Sequence, residues 1–141
     1  MADNLALEEQ VIRSARVLMA FLKANRRSEL LDYPFAYSYP RNCCESVSII
    51  FSHLLEEKYG LTDVKIVRGT KPEKYEHHFW VRTGGLLYDL TAHQFPQRRP
   101  ILGVVQHSLF ASFPEQRDLH ETDFVDREAV VALYRAGVLP F

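Results

Sequence analysis

The chain has 141 residues, of which 47% are apolar, 25% charged and 12% aromatic, the make-up of an ordinary globular domain. A chain of this length buries about 68% of its extended surface on folding, so its core needs neither a metal staple nor a disulfide framework. Seventeen Lys and Arg against 18 Asp and Glu leave a formal charge of −1, without the broad positive field that nucleic acid or anionic lipid would require.

The two cysteines, Cys43 and Cys44, are adjacent, and a bridge between neighbours demands strained geometry. Asp3, Glu8 and Glu9 stand where a secretory signal would be basic, and no apolar run approaches the roughly 18 residues that cross a membrane. The expectation is one domain over residues 1–141 in a soluble, reducing compartment, cytoplasmic or delivered from the cytoplasm without a cleavable signal peptide.

From Asn4 to about Ala24 the apolar residues Val11, Ile12, Ala15, Leu18, Met19 and Leu22 recur at helical spacing, with Asp3 or Asn4 as cap. The basic residues of this stretch are too few and scattered for a membrane-surface helix, so it reads as a packing helix. Residues Arg27 to Asn42 hold Pro34 and Pro40 among Tyr33, Phe35, Tyr37 and Tyr39, too proline-rich for a helix and too aromatic for a disordered linker. An ordered loop is expected, serving either to wall a cleft or to anchor aromatic rings.

The next helix is predicted from Cys43 to about Tyr59, with Asn42 as N-cap, Glu45 completing a capping-box pattern and Gly60 ending it. Val47, Ile50, Phe51, Leu54 and Leu55, widened by Ile49, make it the buried centre of the domain. Val64–Arg68, His77–Arg82, Leu86–Leu90 and Ile101–Gln106 then read as strands of one antiparallel sheet. A last helix is expected from about Asp126 to Ala136, with Ala129, Val130, Leu133 and Tyr134 inward and Gly137 as the stop.

Chemistry concentrates at the head of the central helix, where unpaired backbone N–H groups and the helix dipole favour a thiolate. Cys43 continues the innermost line through Val47, Ile50 and Leu54, whereas Cys44 points to the side, above Ser48. Cys44 is therefore the better nucleophile and Cys43 the better core residue. Downstream, His77 to Asp89 reads as a hairpin about Gly84-Gly85. A two-residue turn pairs Thr83 with Leu86 and sets His78 diagonally beside Asp89, while a four-residue turn sets them directly opposite; an odd turn would separate them. His77 faces the other way whenever His78 faces Asp89.

Adjacent cysteines and opposed histidines are poor chelators, so no metal is expected. His53, His93, His107 and His120 have no nucleophile beside them in sequence, which leaves solvated or capping roles as the default.

The stretches Pro40-Arg-Asn-Cys-Cys-Glu-Ser-Val-Ser48, His78-Phe-Trp-Val81 and Tyr88-Asp-Leu-Thr-Ala-His-Gln-Phe95 carry cysteine, histidine and aspartate in that order. The intervals are 34 and 11 residues (78 − 44 and 89 − 78). This middle part of the chain resembles the transglutaminase-like branch of the papain-like cysteine-enzyme superfamily, which also includes arylamine N-acetyltransferases. The resemblance implies an α+β fold in which a buried central helix packs on an antiparallel sheet, flanked by N- and C-terminal helices. It also implies that the second cysteine is the nucleophile.

On this reading Cys44, His78 and Asp89 form a triad that forms a thioester with a protein, peptide or small acyl or amide substrate, without a cofactor. The backbone N–H of Cys44 would hold the oxyanion, with Asn42, Tyr39 or Gln94 as helpers and Trp80 shielding the ion pair from water. Peptidase, deamidase, transglutaminase and acetyltransferase chemistry share that first half-reaction. The rival expectation is a catalytically silent domain that binds a protein through the loop Tyr33 to Tyr39.

Overall fold

A computed structural model describes residues 2–26 and 38–141. Its described residues form an α+β fold with four helices and a five-stranded antiparallel sheet. In chain order these are α1 (Ala2–Ala24), α2 (Cys44–Tyr59), β1 (Lys65–Lys71), β2 (Glu76–Thr83), β3 (Leu86–Asp89), β4 (Ile101–Val104), α3 (Ser108–Ala111), β5 (Glu115–Asp118) and α4 (Arg127–Arg135). The spatial order of the strands is β4-β3-β2-β1-β5. No helix among the described residues is long and apolar enough to cross a membrane. Tyr33, Phe35 and Tyr37 lie outside the described residues.

α1 buries the stripe Val11, Ala15, Leu18 and Leu22, while Ile12 and Met19 flank it half-covered. It starts at Ala2, so Asp3 and Asn4 lie inside its first turn rather than at a cap. α2 is covered on every side from Ser46 to Leu55, because the sheet lies against one flank and α4 against another. Gly60 stops it in the left-handed conformation, φ 63°, with its N–H on the Glu56 carbonyl.

The expected cap of α2 is wrong. Asn42 takes φ 57°, a left-handed turn that its short polar side chain tolerates but that an N-cap cannot adopt. Cys43 is the cap residue instead, without a side-chain capping bond, and the capping box with Glu45 does not form.

α4 begins on Asp126, whose carboxylate accepts from the Glu128 N–H. It closes with Gly137 N–H on Tyr134 O and Val138 N–H on Leu133 O, the paired bonds of a Schellman stop. Val130 and Val131 are its buried residues and Ala129 is exposed, which rotates the inward stripe from the one expected. β4 ends at Val104 rather than Gln106, and Gly103, φ 71°, sits where the β3–β4 register slips at Leu87 and Tyr88. β5 was not anticipated. Its sequence Glu-Gln-Arg-Asp has no apolar alternation because it is an edge strand paired only with β1.

Two apolar clusters sandwich the sheet. Ile66, Val81 and Tyr88 join the residues of α1, α2 and α4 on one face. Val67, Trp80, Ala92, Ile101, Leu109, Phe110 and Phe113 fill the other. Pairing between β2 and β3 stops at Val81–Tyr88, so among the described residues the first half of β2 has no strand partner on that side.

Candidate active site

Gly84 and Gly85, with φ of 58° and 75°, make a two-residue turn whose handedness matches the twist of the strands it joins. Asp63 fastens it, accepting from Thr83 Oγ1 at 2.8 Å and from the Gly84 N–H at 2.7 Å, and those bonds hold its carboxyl below the usual range. Thr83 pairs with Leu86 and Val81 with Tyr88, the shorter of the two even registers. His78 and Asp89 consequently share a face. His78 Nε2 and Asp89 Oδ2 are 2.6 Å apart, with both side chains about 1% exposed. His77 turns outward to Thr70 Oγ1.

Both oxygens of the Asp89 carboxylate are engaged, since Oδ1 accepts from the N–H and hydroxyl of Thr91 at 3.0 and 3.2 Å. With Nε2 committed to Asp89, Nδ1 is the ring nitrogen left over, and Cys44 at the head of α2 is near enough to strengthen the hold of the imidazole on its proton. The meeting occurs beside the half of β2 that β3 leaves unpaired.

The two cysteines diverge. Cys43 is 2% exposed within the helix-side cluster, and burial, then the neighbouring Cys44, pushes its thiol up to about 12. It is a neutral core residue at physiological pH. Cys44, one step along, is half-buried.

Burial opposes a charge on His78, yet its hydrogen bonds to Asp89 and Cys44 and its attraction to both outweigh that cost and lift it to about 9. The ring is therefore an imidazolium at neutral pH. Phe95 and Phe113 stand 5.0 and 5.6 Å from its centroid and Trp80 5.9 Å, an aromatic cage that excludes water from the pair. Trp80 also stacks on Phe110 at 4.5 Å, so it packs the core and lines the cage at once.

The helpers named from sequence divide. Gln94 is at hand: its Nε2 lies 3.5 Å from His78 Nδ1 and 3.4 Å from Thr91 Oγ1. Both contacts are at the outer limit of hydrogen bonding, so the amide remains free to turn. Tyr39 is buried and its hydroxyl donates to the Leu90 carbonyl at 2.6 Å, which commits that proton to holding the chain beside Asp89. Asn42 is exposed at the turn before Cys43 and makes no hydrogen bond to the triad.

Sequence reasoning missed Thr91, although the Asp-x-Thr spacing is a recognisable signature of an aspartate bonding two residues on. It missed Asp63 and Phe113 as well, which reach the hairpin and the cage from distant positions. Of the remaining histidines, His107 caps α3 through Nδ1 and His120 is exposed, while His93 lies edge-on to Tyr39. His53 is neither solvated nor a cap: it is 4% exposed with Nε2 at 3.2 Å from the Val125 carbonyl, because α4 and its leading loop cover α2. Among the described residues no three His, Cys, Asp or Glu side chains converge as a metal site.

No protein-family model, characterised protein or solved structure matches this chain.

Proposed function

We propose that this chain is a cysteine-dependent acyl-transfer enzyme with a transglutaminase-like, papain-like core, acting on an amide or related acyl bond through Cys44, His78 and Asp89. The observation that carries the reading is the pair of buried side chains His78 and Asp89, 2.6 Å apart, with the half-buried Cys44 at a helix head close enough to favour the charged imidazole. A buried imidazole and carboxylate cost folding energy unless they serve one another, and a structural pair has no need of a thiol nearby.

The chemistry follows in two half-reactions. His78 holds the Cys44 proton on Nδ1 and the sulfur attacks the acyl carbonyl. The tetrahedral oxyanion is received by the backbone N–H of Cys44, unpaired within the helix because it belongs to the first turn, and by the amide of Gln94. His78 then passes its proton to the leaving amine, the C–N bond breaks and a thioester remains on Cys44. Water or an amine attacks the thioester with His78 taking its proton, releasing acid or new amide and restoring the thiol. Asp89 keeps the Nε2–H pointed away from the sulfur throughout, so that only Nδ1 exchanges the proton.

Intact mass after incubation with an electrophilic amide probe tests the reading. One covalent increment on Cys44, lost in Cys44→Ala and kept in Cys43→Ala, is the expected result. Equal labelling of the Cys44→Ala protein, or a Cys44 no faster than an ordinary thiol at pH 7, would leave a fold used for binding alone.

A further inference from the structure

Three clefts adjoin along α1. Two meet at Pro100, and two share Lys23, Arg26, Tyr39 and His93. Together they gather Arg16, Lys23, Arg26, Arg41, Arg98 and Arg99 around one trough. All six cations are exposed, and among the described residues no Asp or Glu lines the trough or pairs with any of them. The contrast is with Arg82, Arg127 and Arg135, which are each paired to Asp118, Glu56 and Glu57. In a chain of formal charge −1, such a run of cations without an acidic partner among the described residues is a local field of one sign.

Cys44, His78 and Asp89 do not themselves line the trough, but its wall is tied to the segments that carry them. Its wall Ser38 to Arg41 leads directly into Cys43 and Cys44, and Tyr39 within it is bonded to Leu90, the residue after Asp89. His93, a wall of two of the clefts, is pushed down chiefly by burial, with Asp89 opposing and Arg26 and Lys23 adding to the shift. Its Nδ1 is buried without a hydrogen-bond partner.

We infer that the trough takes an acidic peptide segment of the acyl donor, a specificity that rests on the acyl-transfer reading and extends it to a substrate class. From Arg16 to Lys23 the helix runs about 10 Å, the length of about three residues of extended peptide, and Arg26 follows just past its end. Carboxylates along such a strand meet cations along its whole course. A peptide also supplies the amide that the thiol attacks. A nucleic-acid strand fits less well, because Tyr39, the one Phe, Tyr or Trp of the lining among the described residues, is 2% exposed and offers no face for base stacking.

Fluorescence anisotropy with a labelled peptide of about ten residues alternating Glu and Gly tests this, against the same peptide with Gln for Glu. At low salt the Glu peptide should bind at least about tenfold tighter, and that advantage should vanish near 0.5 M salt. The pairs Arg16→Glu with Arg99→Glu, and Lys23→Glu with Arg26→Glu, should each remove it while circular dichroism stays unchanged. Lys74→Glu, on the exposed β1–β2 turn, should not. Equal affinity for the two peptides, or charge reversals without effect, would overturn the inference. Tighter binding of inorganic tripolyphosphate in competition would reassign the trough to phosphates. Cys44→Ala should bind the Glu peptide as the natural protein does, so a failed trough and a failed catalytic reading give different results.

Discussion

The two faces of the sheet are built from different materials. Toward α1, α2 and α4 the core is dominated by aliphatic side chains, with Leu18, Leu22, Ile49, Ile50, Leu54 and Leu55 fully covered. The opposite face sets Trp80, Phe110, Phe113 and Phe95 among its aliphatic side chains, and His78 and Asp89 are embedded beside those rings with almost no exposure. An aliphatic core is stabilised by area and tolerates exchange of one apolar shape for another. A face that buries two ionisable groups has one acceptable arrangement, because either group left without its partner is a desolvated charge. On the proposed reading the fold assigns stability to one face and reactivity to the other, and variants on each should separate the two.

The largest effect belongs to the polar pair. Asp89→Asn keeps the shape of the site but lets the imidazole take the wrong tautomer, so the rate of probe acylation at Cys44 should fall on the order of 10³-fold, measured by quenched mass spectrometry. An unchanged rate would show that Asp89 is structural. Phe51→Ala removes a fully buried ring that packs edge-on to Tyr88 and Phe141 on the helix side, at an expected cost of about 3–5 kcal/mol in urea unfolding. The surviving folded molecules should label at the natural rate. A collapse of labelling in folded Phe51→Ala would erase the division between the faces.

Next in size is the dependence of stability on pH. His78 stands at about 9 in the folded chain against 6.5 for an ordinary histidine, so the native state holds the proton more firmly. That contribution is complete below pH 6.5 and is lost as pH rises through 9, on the order of 3 kcal/mol over the window. Cys43 and Tyr88, both raised to about 12 chiefly by burial, stay neutral across it. His53 and His93 are pushed down chiefly by burial, so their effect falls on the acid side. Unfolding at constant temperature should show the decline, and His78→Gln should flatten it. A natural protein equally stable at pH 6.5 and 9 would remove the imidazolium from the site.

The helix side was readable from the sequence because its signal is local: the spacing of Val11, Ala15, Leu18 and Leu22 is a period that any helix must show. The pairing of His78 with Asp89 was readable for either even turn length and not for an odd one; the turn is the two-residue Gly84-Gly85, and its parity sets the face. What escaped was long-range. Phe113 reaches the cage from the segment between α3 and β5, and β5 carries no apolar pattern because its stability comes from hydrogen bonds to β1. The cap at Asn42 failed for another reason: asparagine suits an N-cap and a left-handed turn alike, and the chain used it for the turn.

Gly69 gives the finest cut between the faces. It pairs with His78 across β1 and β2, and a Cβ there would lie 2.4 Å from Trp80 Cη2 and 2.7 Å from Phe113 Cβ. Neither neighbour can yield easily, since Trp80 is held between Phe110 and His78 and the Phe113 contact is at the root of its side chain. Gly69→Ala should therefore cost about 1–3 kcal/mol by overpacking and also slow labelling of Cys44, because the displaced rings are those that seat the imidazole. Gly85→Ala has open space around its Cβ but a φ of 75°, so it should cost about 1 kcal/mol of backbone strain with the labelling rate intact. Equal losses of reactivity in the two variants would mean that the site responds to stability in general rather than to the cage in particular.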